Sequence, residues 1–261
     1  MFRAVIADPL PDPLPEPTLL ERQQILVADP SQQTFWHRVR FELVARHADE
    51  LGATQVVDIG AGAGALGDWM LANRTRIEYR FEELSAVLDR RLTERFGAHR
   101  RTEPSSPLPS GSLVALLDVL EHVEHDVAAL TAIRMRMTPG AHVVITVPAL
   151  QWAFSSWDTE LGHHRRYNRR TLRTVVEAAG FQVDSVAYLF PELLPLLPVR
   201  KLRRSTRSDV DFPQLGPLLT RVGYRISTAT TKLRRVWPSG TSVLLTATNP
   251  AADDPESVDR G

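Results

Sequence analysis

Cysteine is absent from all 261 residues, which excludes disulfides, thiolate metal centres and cysteine nucleophiles. Lysine is nearly absent too. Lys201 and Lys232 are the only two, and every other side chain carrying a permanent positive charge is arginine, a pattern best read as coding bias. No apolar run reaches the roughly 18 residues that a membrane span requires. No basic, apolar, small-residue leader opens the chain, so a soluble, cytoplasmic protein is expected. An excess of one charge sign is also lacking: Lys+Arg and Asp+Glu both number 31. The global charge therefore selects no partner, and without a recognisable binding module there is no case for nucleic acid. The length suits one α/β domain with additions.

What the chain does have is glycine gathered in one place. Val56-Val57-Asp58-Ile59-Gly60-Ala61-Gly62-Ala63-Gly64-Ala65-Leu66-Gly67 reads as a buried strand, a glycine turn and the start of a helix. Glycines at 60, 62 and 64 remove Cβ atoms where the chain reverses and a ligand could approach the backbone. Gly62-x-Gly64-x-x-Gly67 formally matches a dinucleotide fingerprint, a weak signal alone, which keeps a nicotinamide-dependent oxidoreductase as the alternative. Asp58 argues against it, because a carboxylate about 4 Å from a pyrophosphate costs roughly 1–4 kcal/mol. A cationic, phosphate-free nucleoside such as S-adenosyl-L-methionine suits an acid-lined turn better. Asp68 follows Gly67 where a P-loop requires lysine.

Two stretches carry a family resemblance. Val56 to Gly64 resembles the first motif of class I S-adenosylmethionine-dependent methyltransferases, and Leu116-Leu117-Asp118-Val119-Leu120-Glu121-His122-Val123 is similar to the fourth-strand segment of their small-molecule branch. The resemblance spans about residues 35–248. It implies a Rossmann-like α/β fold: a seven-stranded, mostly parallel sheet with an antiparallel last strand and helices on both faces. The implied cofactor is S-adenosyl-L-methionine, held by Asp58, Gly60, Ala61, Gly62, Glu83, Leu84, Asp118 and Val119. Phe35-Trp36-His37-Arg38-Val39-Arg40 resembles a segment that covers the cofactor in some members, with Arg38 or Arg40 near the methionine carboxylate.

Residues 1–30, notably Asp8-Pro9-Leu10-Pro11-Asp12-Pro13-Leu14-Pro15-Glu16-Pro17, predict a proline-rich extended arm, disordered or laid on a surface. A helix is expected from Ser31, its cap, to Leu51, with Gly52 as its stop. Residues 76–83 read as the second strand. An acid about 20 residues beyond the glycines is placed for ribose hydroxyls, with Glu83 preferred and Glu82 the fallback. His99 to Ser105 is expected as a third strand, with Glu103 the sole acid available near the adenine. Leu113–Leu117 and His142–Val147 read as central strands, and Gln182–Leu189 and Thr241–Thr248 as the last two.

Candidate chemistry clusters after the central strands. Trp152, Phe154 and Trp157 could line a substrate pocket. Gly162-His163-His164-Arg165-Arg166-Tyr167 resembles a signature of one methyltransferase subgroup, in which His163 is the signature histidine. Methyl transfer depends chiefly on alignment, with a base needed only if the nucleophile must lose a proton. His163 is the candidate base, with Tyr167 and His122 behind it. No carboxylate at helical offset completes a metal site with the paired histidines, so no metal is expected. Residues 190–240 predict an inserted helical cap over the substrate mouth or at a dimer contact. Residues 163–235 hold 15 Arg and Lys against 5 Asp and Glu. The expected partner is therefore a small molecule, anionic or amphiphilic, with peripheral membrane contact and a homodimer both compatible. A protein that keeps this fold without methylating, as a cyclase or assembly partner, is the second alternative. Residues 251–261 are expected as a disordered tail.

Overall fold

A computed structural model describes residues 16–197 and 216–250. The proline-rich segment up to residue 15, the basic run after residue 197 and the tail from residue 251 lie outside the described residues. Six strands form one sheet: β1 (Gln55–Ile59), β2 (Glu78–Glu82), β3 (Ser112–Leu117), β4 (His142–Pro148), β5 (Gln182–Leu189) and β6 (Ser242–Thr248). Their spatial order is β2-β1-β3-β4-β6-β5. The first four are parallel, and β6 inserts antiparallel between β4 and β5.

Among the described residues the sheet has six strands, not seven. The expected third strand at His99–Ser105 is instead a 3-10 turn at Ala98–Arg100 and a single parallel bridge from Arg101 to Phe81. This stretch offers no apolar face to bury, and Pro104 cannot donate to a ladder.

The strands are apolar because both faces are covered. One face packs Val57, Val114, Ile145 and Leu245 against α5 (Asp126–Arg136) and α7 (Arg169–Ala178). The other packs Val56, Tyr79, Phe81 and Ala115 against α2 (Phe35–Leu51), α3 (Ala65–Asn73) and α4 (Ala86–Phe96).

Two helix starts differ from expectation. The N-cap of α2 is Thr34, not Ser31. His37 in its first turn accepts the Thr34 N–H through Nδ1 at 3.2 Å, while Ser31 N–H turns to Asp29 Oδ1 at 2.8 Å. Gly52 does close the helix, at φ 64°. Within the segment expected as an extended arm, residues Leu19–Ala28 form α1, started by a reciprocal pair: Thr18 N–H donates to Glu21 at 2.6 Å and Glu21 N–H to Thr18 Oγ1 at 3.2 Å. No proline falls between Pro17 and Pro30, so the prolines delimit this helix instead of preventing it.

A short helix, α6 (Ser156–Glu160), follows β4, and α8 (Pro217–Lys232) precedes β6. α8 lies along α2. A Cβ built at Gly223 would come 2.5 Å from the Phe35 ring, and Tyr224 Oη donates to Glu42 at 2.7 Å. The described end of the insertion is thus helical and docked on α2. No helix among the described residues is long and apolar enough to cross a membrane.

Candidate functional site

The glycine turn joins β1 to α3 and is tied to the end of β2. Gly60 and Ala61 N–H groups donate to the Glu82 carbonyl at 2.9 and 3.2 Å, and Gly64 N–H donates to Ala61. Gly60, Gly62 and Gly64 all have positive φ, a region L side chains rarely adopt. A Cβ at Gly60 would sit 2.8 Å from Val119 Cγ2, and one at Gly62 would sit 3.2 Å from Gln24 Cδ. The turn is therefore a cradle from which side chains are excluded. Val119, beyond β3, forms its opposite wall, and Gln24 of α1 lies over it.

The two acids that close β2 divide their work. Glu82 is buried and takes a bidentate ion pair from Arg136, at 3.1 and 2.6 Å. It is a structural brace, which leaves Glu83 at the turn. Glu83 accepts from Gly62 N–H at 2.8 Å and Ser85 N–H at 2.9 Å. Burial raises its pKa, opposed by these backbone donors. Leu84 beside it is 82% exposed. Glu103 does not face this turn as a lone acid; it pairs with Arg101.

Asp58 is not the open carboxylate expected from its position. It is 3% exposed and accepts from Tyr79 Oη at 3.0 Å. Burial pushes its pKa up to about 7, against the pull of the tyrosine hydrogen bond. Across the crevice stands a charged pair. Asp118 leaves β3 at φ 56°, strained for a non-glycine residue, and meets Arg40 NH1 at 2.8 Å. Arg40 is 8% exposed, is held also by Ser242 Oγ at 2.8 Å, and has no partner for Nε. Arg38, the other candidate, bonds Glu42 at 3.0 Å and stacks on Tyr224.

The Gly-His-His-Arg-Arg-Tyr segment is a clamp. Arg166 grips buried Asp158 at 2.8 and 3.0 Å. Arg165 and Tyr167 both reach Asp126 Oδ2, at 2.9 and 2.7 Å, and His164 N–H donates to the Glu121 carbonyl at 2.7 Å. Together these pin the loop after β4 onto the loop after β3 and bring His163 edge-on to His122, ring centres 4.5 Å apart. His163 Nδ1 lies 3.1 Å from Asp158 Oδ1.

The three candidate bases separate on this geometry. Tyr167 is 2% exposed with its hydroxyl committed to Asp126 and Leu120. Burial and the Asp126 bond drive its pKa upward, so the hydroxyl keeps its proton. Burial, then the neighbouring His163, lowers His122 to about 4, leaving a neutral imidazole at physiological pH. Sequence reading missed Asp158 and Asp126, the two buried acids the clamp closes on. Their signal was the three cationic or phenolic side chains at 165–167, which need buried acceptors if they point inward.

A parallel sheet with its crevice at the strand ends, a side-chain-free turn and an acid after the second strand define the class I S-adenosylmethionine-dependent methyltransferase architecture. A family model described as a methyltransferase domain matches residues 33–186, and the chain belongs to that family. Its cofactor is S-adenosylmethionine, which the cradle at Gly60 and Gly62 fits. No curated protein matches the chain. Among solved structures, a SAM-dependent methyltransferase from Archaeoglobus fulgidus is similar at 17% identity and a TM-score of 0.50, covering 81% of this chain and 93% of that one. The 4+2 cyclase SpnF is similar at 17% identity and TM-score 0.52, covering 92% and 99%. At such identities the likeness is one of fold.

Proposed function

We propose that the protein methylates a titratable nucleophile of a small molecule bound where the loops after β3 and β4 meet. The carrying observation is the His163–Asp158 pair set against His122 at the carboxyl end of the sheet. S-adenosylmethionine supplies an electrophilic methyl group when bound. Glu83 is the proposed acceptor for ribose hydroxyls, exchanging its present bonds to Gly62 and Ser85 for them. Arg40, with its unpartnered Nε, is the proposed holder of the methionine carboxylate. Gly60, Ala61 and Gly62 give backbone approach, while Val119 and Leu84 supply apolar contact.

His163 is proposed to take the acceptor's proton. Asp158 fixes its ring through Nδ1 and stabilises the charge the ring gains, which leaves Nε2 for the acceptor. Tyr167 and Arg165 hold the loop, and His122 limits ring motion. A nicotinamide dinucleotide is disfavoured because the Glu83 carboxylate already occupies the Gly62 N–H that a pyrophosphate would need, with like-charge cost.

The test is equilibrium dialysis against S-adenosylmethionine and NAD, followed by an assay for substrate-dependent methyl release across hydroxyl, amine and carbanion-forming acceptors. His163→Ala should lower turnover with cofactor affinity intact. Wild-type turnover in that variant would show that alignment alone suffices. Cofactor binding without methyl release from any acceptor would favour a non-methylating role for the fold.

A further inference from the structure

Outside the cofactor turn, one cluster is left chemically incomplete. Glu121 is 1% exposed, and its Oε2 has no hydrogen-bond partner among the described residues. Its surroundings hold Arg40 and Arg166, but their ion pairs are with Asp118 at 2.8 Å and with Asp158 at 2.7 Å, not with Glu121. Three carboxylates thus face two cations, and Glu121 is the one left over. A buried, unpaired carboxylate is costly unless a proton or a cation joins it. Beside it stand the two imidazoles of His122 and His163. One donor atom from each of the three residues lies within 4.8 Å of the others.

We propose that Glu121, His122 and His163 bind a divalent first-row transition metal of the zinc type, at a site with open coordination positions for the methyl acceptor. The donor set is two imidazoles and one carboxylate, which suits Zn²⁺ and its neighbours more than Mg²⁺ or Ca²⁺. Ligand bonds of about 2.0–2.1 Å place tetrahedral donors about 3.4 Å apart, so closing on an ion needs shifts of about 1 Å. The outer groups are already in place. His163 Nδ1 is engaged by Asp158, itself fixed by Arg166, the carboxylate–histidine arrangement that orients a metal-ligating ring. The Leu161 and Gly162 carbonyls lie at the ring of His122 and orient it in the same way.

This deepens the reading of the same site, and its purpose rests on that reading. A hydroxyl bound to the ion would lose its proton more readily: with the ion in place His163 is a ligand and the proton leaves to solvent water, and in the ion-free protein His163 is the proton's acceptor. Ion binding itself does not depend on methyl transfer.

The experiment is titration of metal-stripped protein with Zn²⁺ by calorimetry, with Co²⁺ added separately to read visible ligand-field absorption. The expected result is one Zn²⁺ per chain and a Co²⁺ spectrum that Zn²⁺ abolishes. Glu121→Gln and His163→Ala should each weaken binding at least tenfold, while His99→Ala, at an exposed histidine, should not. Thermal unfolding checks that the variants fold; if His163→Ala does not, His163→Gln and the wild-type Co²⁺ spectrum carry the test. Absence of stoichiometric Zn²⁺ in the wild type, or full affinity in both site variants, overturns the proposal. Parallel dialysis against S-adenosylmethionine separates the two readings: metal without cofactor binding sinks methyl transfer and leaves the ion site standing, and the converse sinks the ion alone.

Discussion

At the scale of single residues, Glu83 and Asp58 show how one charge type does opposite work at the two ends of a turn. Glu83 keeps its carboxylate at the rim, satisfied by backbone donors it can exchange for ligand hydroxyls. Glu83→Ala should weaken S-adenosylmethionine binding by about 1–3 kcal/mol, or about 5- to 150-fold, because hydrogen bonds to a charged group are lost; calorimetric titration reads this directly. Asp58 is buried with its folded pKa at about 7, above the roughly 3.9 of an unfolded aspartate. The native state therefore holds a proton that the unfolded chain releases. Asp58 favours folding fully below about pH 4, and that contribution is lost as pH rises toward 7. The loss is on the order of 4 kcal/mol at most. His37 and His122, lowered to about 3 and about 4 by burial, act in the opposite direction, gaining stability as pH rises toward 6.5. The difference between wild type and Asp58→Asn isolates the aspartate: denaturant unfolding should show the variant gaining on the wild type from pH 4 to 7. A pH-independent difference would mean Asp58 is ionised in the fold.

At the scale of elements, α1 has little buried attachment for its position. Ala28 is the only buried residue on it, yet Gln24 lies over Gly62 and Glu21 takes the hydroxyl of Ser85, whose N–H bonds Glu83. An element held by so few buried contacts opens at low free-energy cost. Deleting residues 1–30 should leave the melting temperature within a few degrees but speed cofactor dissociation several-fold in stopped-flow displacement. Slower dissociation or tighter binding would show that Gln24 obstructs the site instead of closing it. Composition did not reveal this helix. Proline density up to residue 17 masked the Thr18–Glu21 pair that starts it, because a capping pair is a two-residue signal beside a ten-residue bias.

At the scale of the whole molecule, the central strands and the glycine turn were legible because a parallel strand covered on both faces must be apolar and a side-chain-free turn must be glycine. Leu113–Leu117 and Val56–Ile59 could hardly be anything else. His99–Ser105 is a turn and a single bridge instead of a strand because its polar run, with Pro104, has no apolar face to bury. The site was legible where one segment supplies it, as with Glu83. It was hidden where distant segments meet: nothing in Glu121-His122 announces that Asp158 and Arg166 will deliver His163 to it, about 40 residues later.

The position of β6 has a consequence for the order in which this molecule can come into being. Among the described residues it is the only strand joining β4 to β5, and it carries Ser242 to the guanidinium of Arg40. The partners are 202 residues apart, so a growing polypeptide that has not yet emerged past residue 242 has an Arg40 without its Ser242 partner and a four-stranded sheet with β5 unattached to it. Ligand affinity should therefore switch on late and abruptly during synthesis. Ribosome-stalled chains ending before residue 242 should not retain S-adenosylmethionine, and those extending beyond residue 250 once clear of the exit tunnel should.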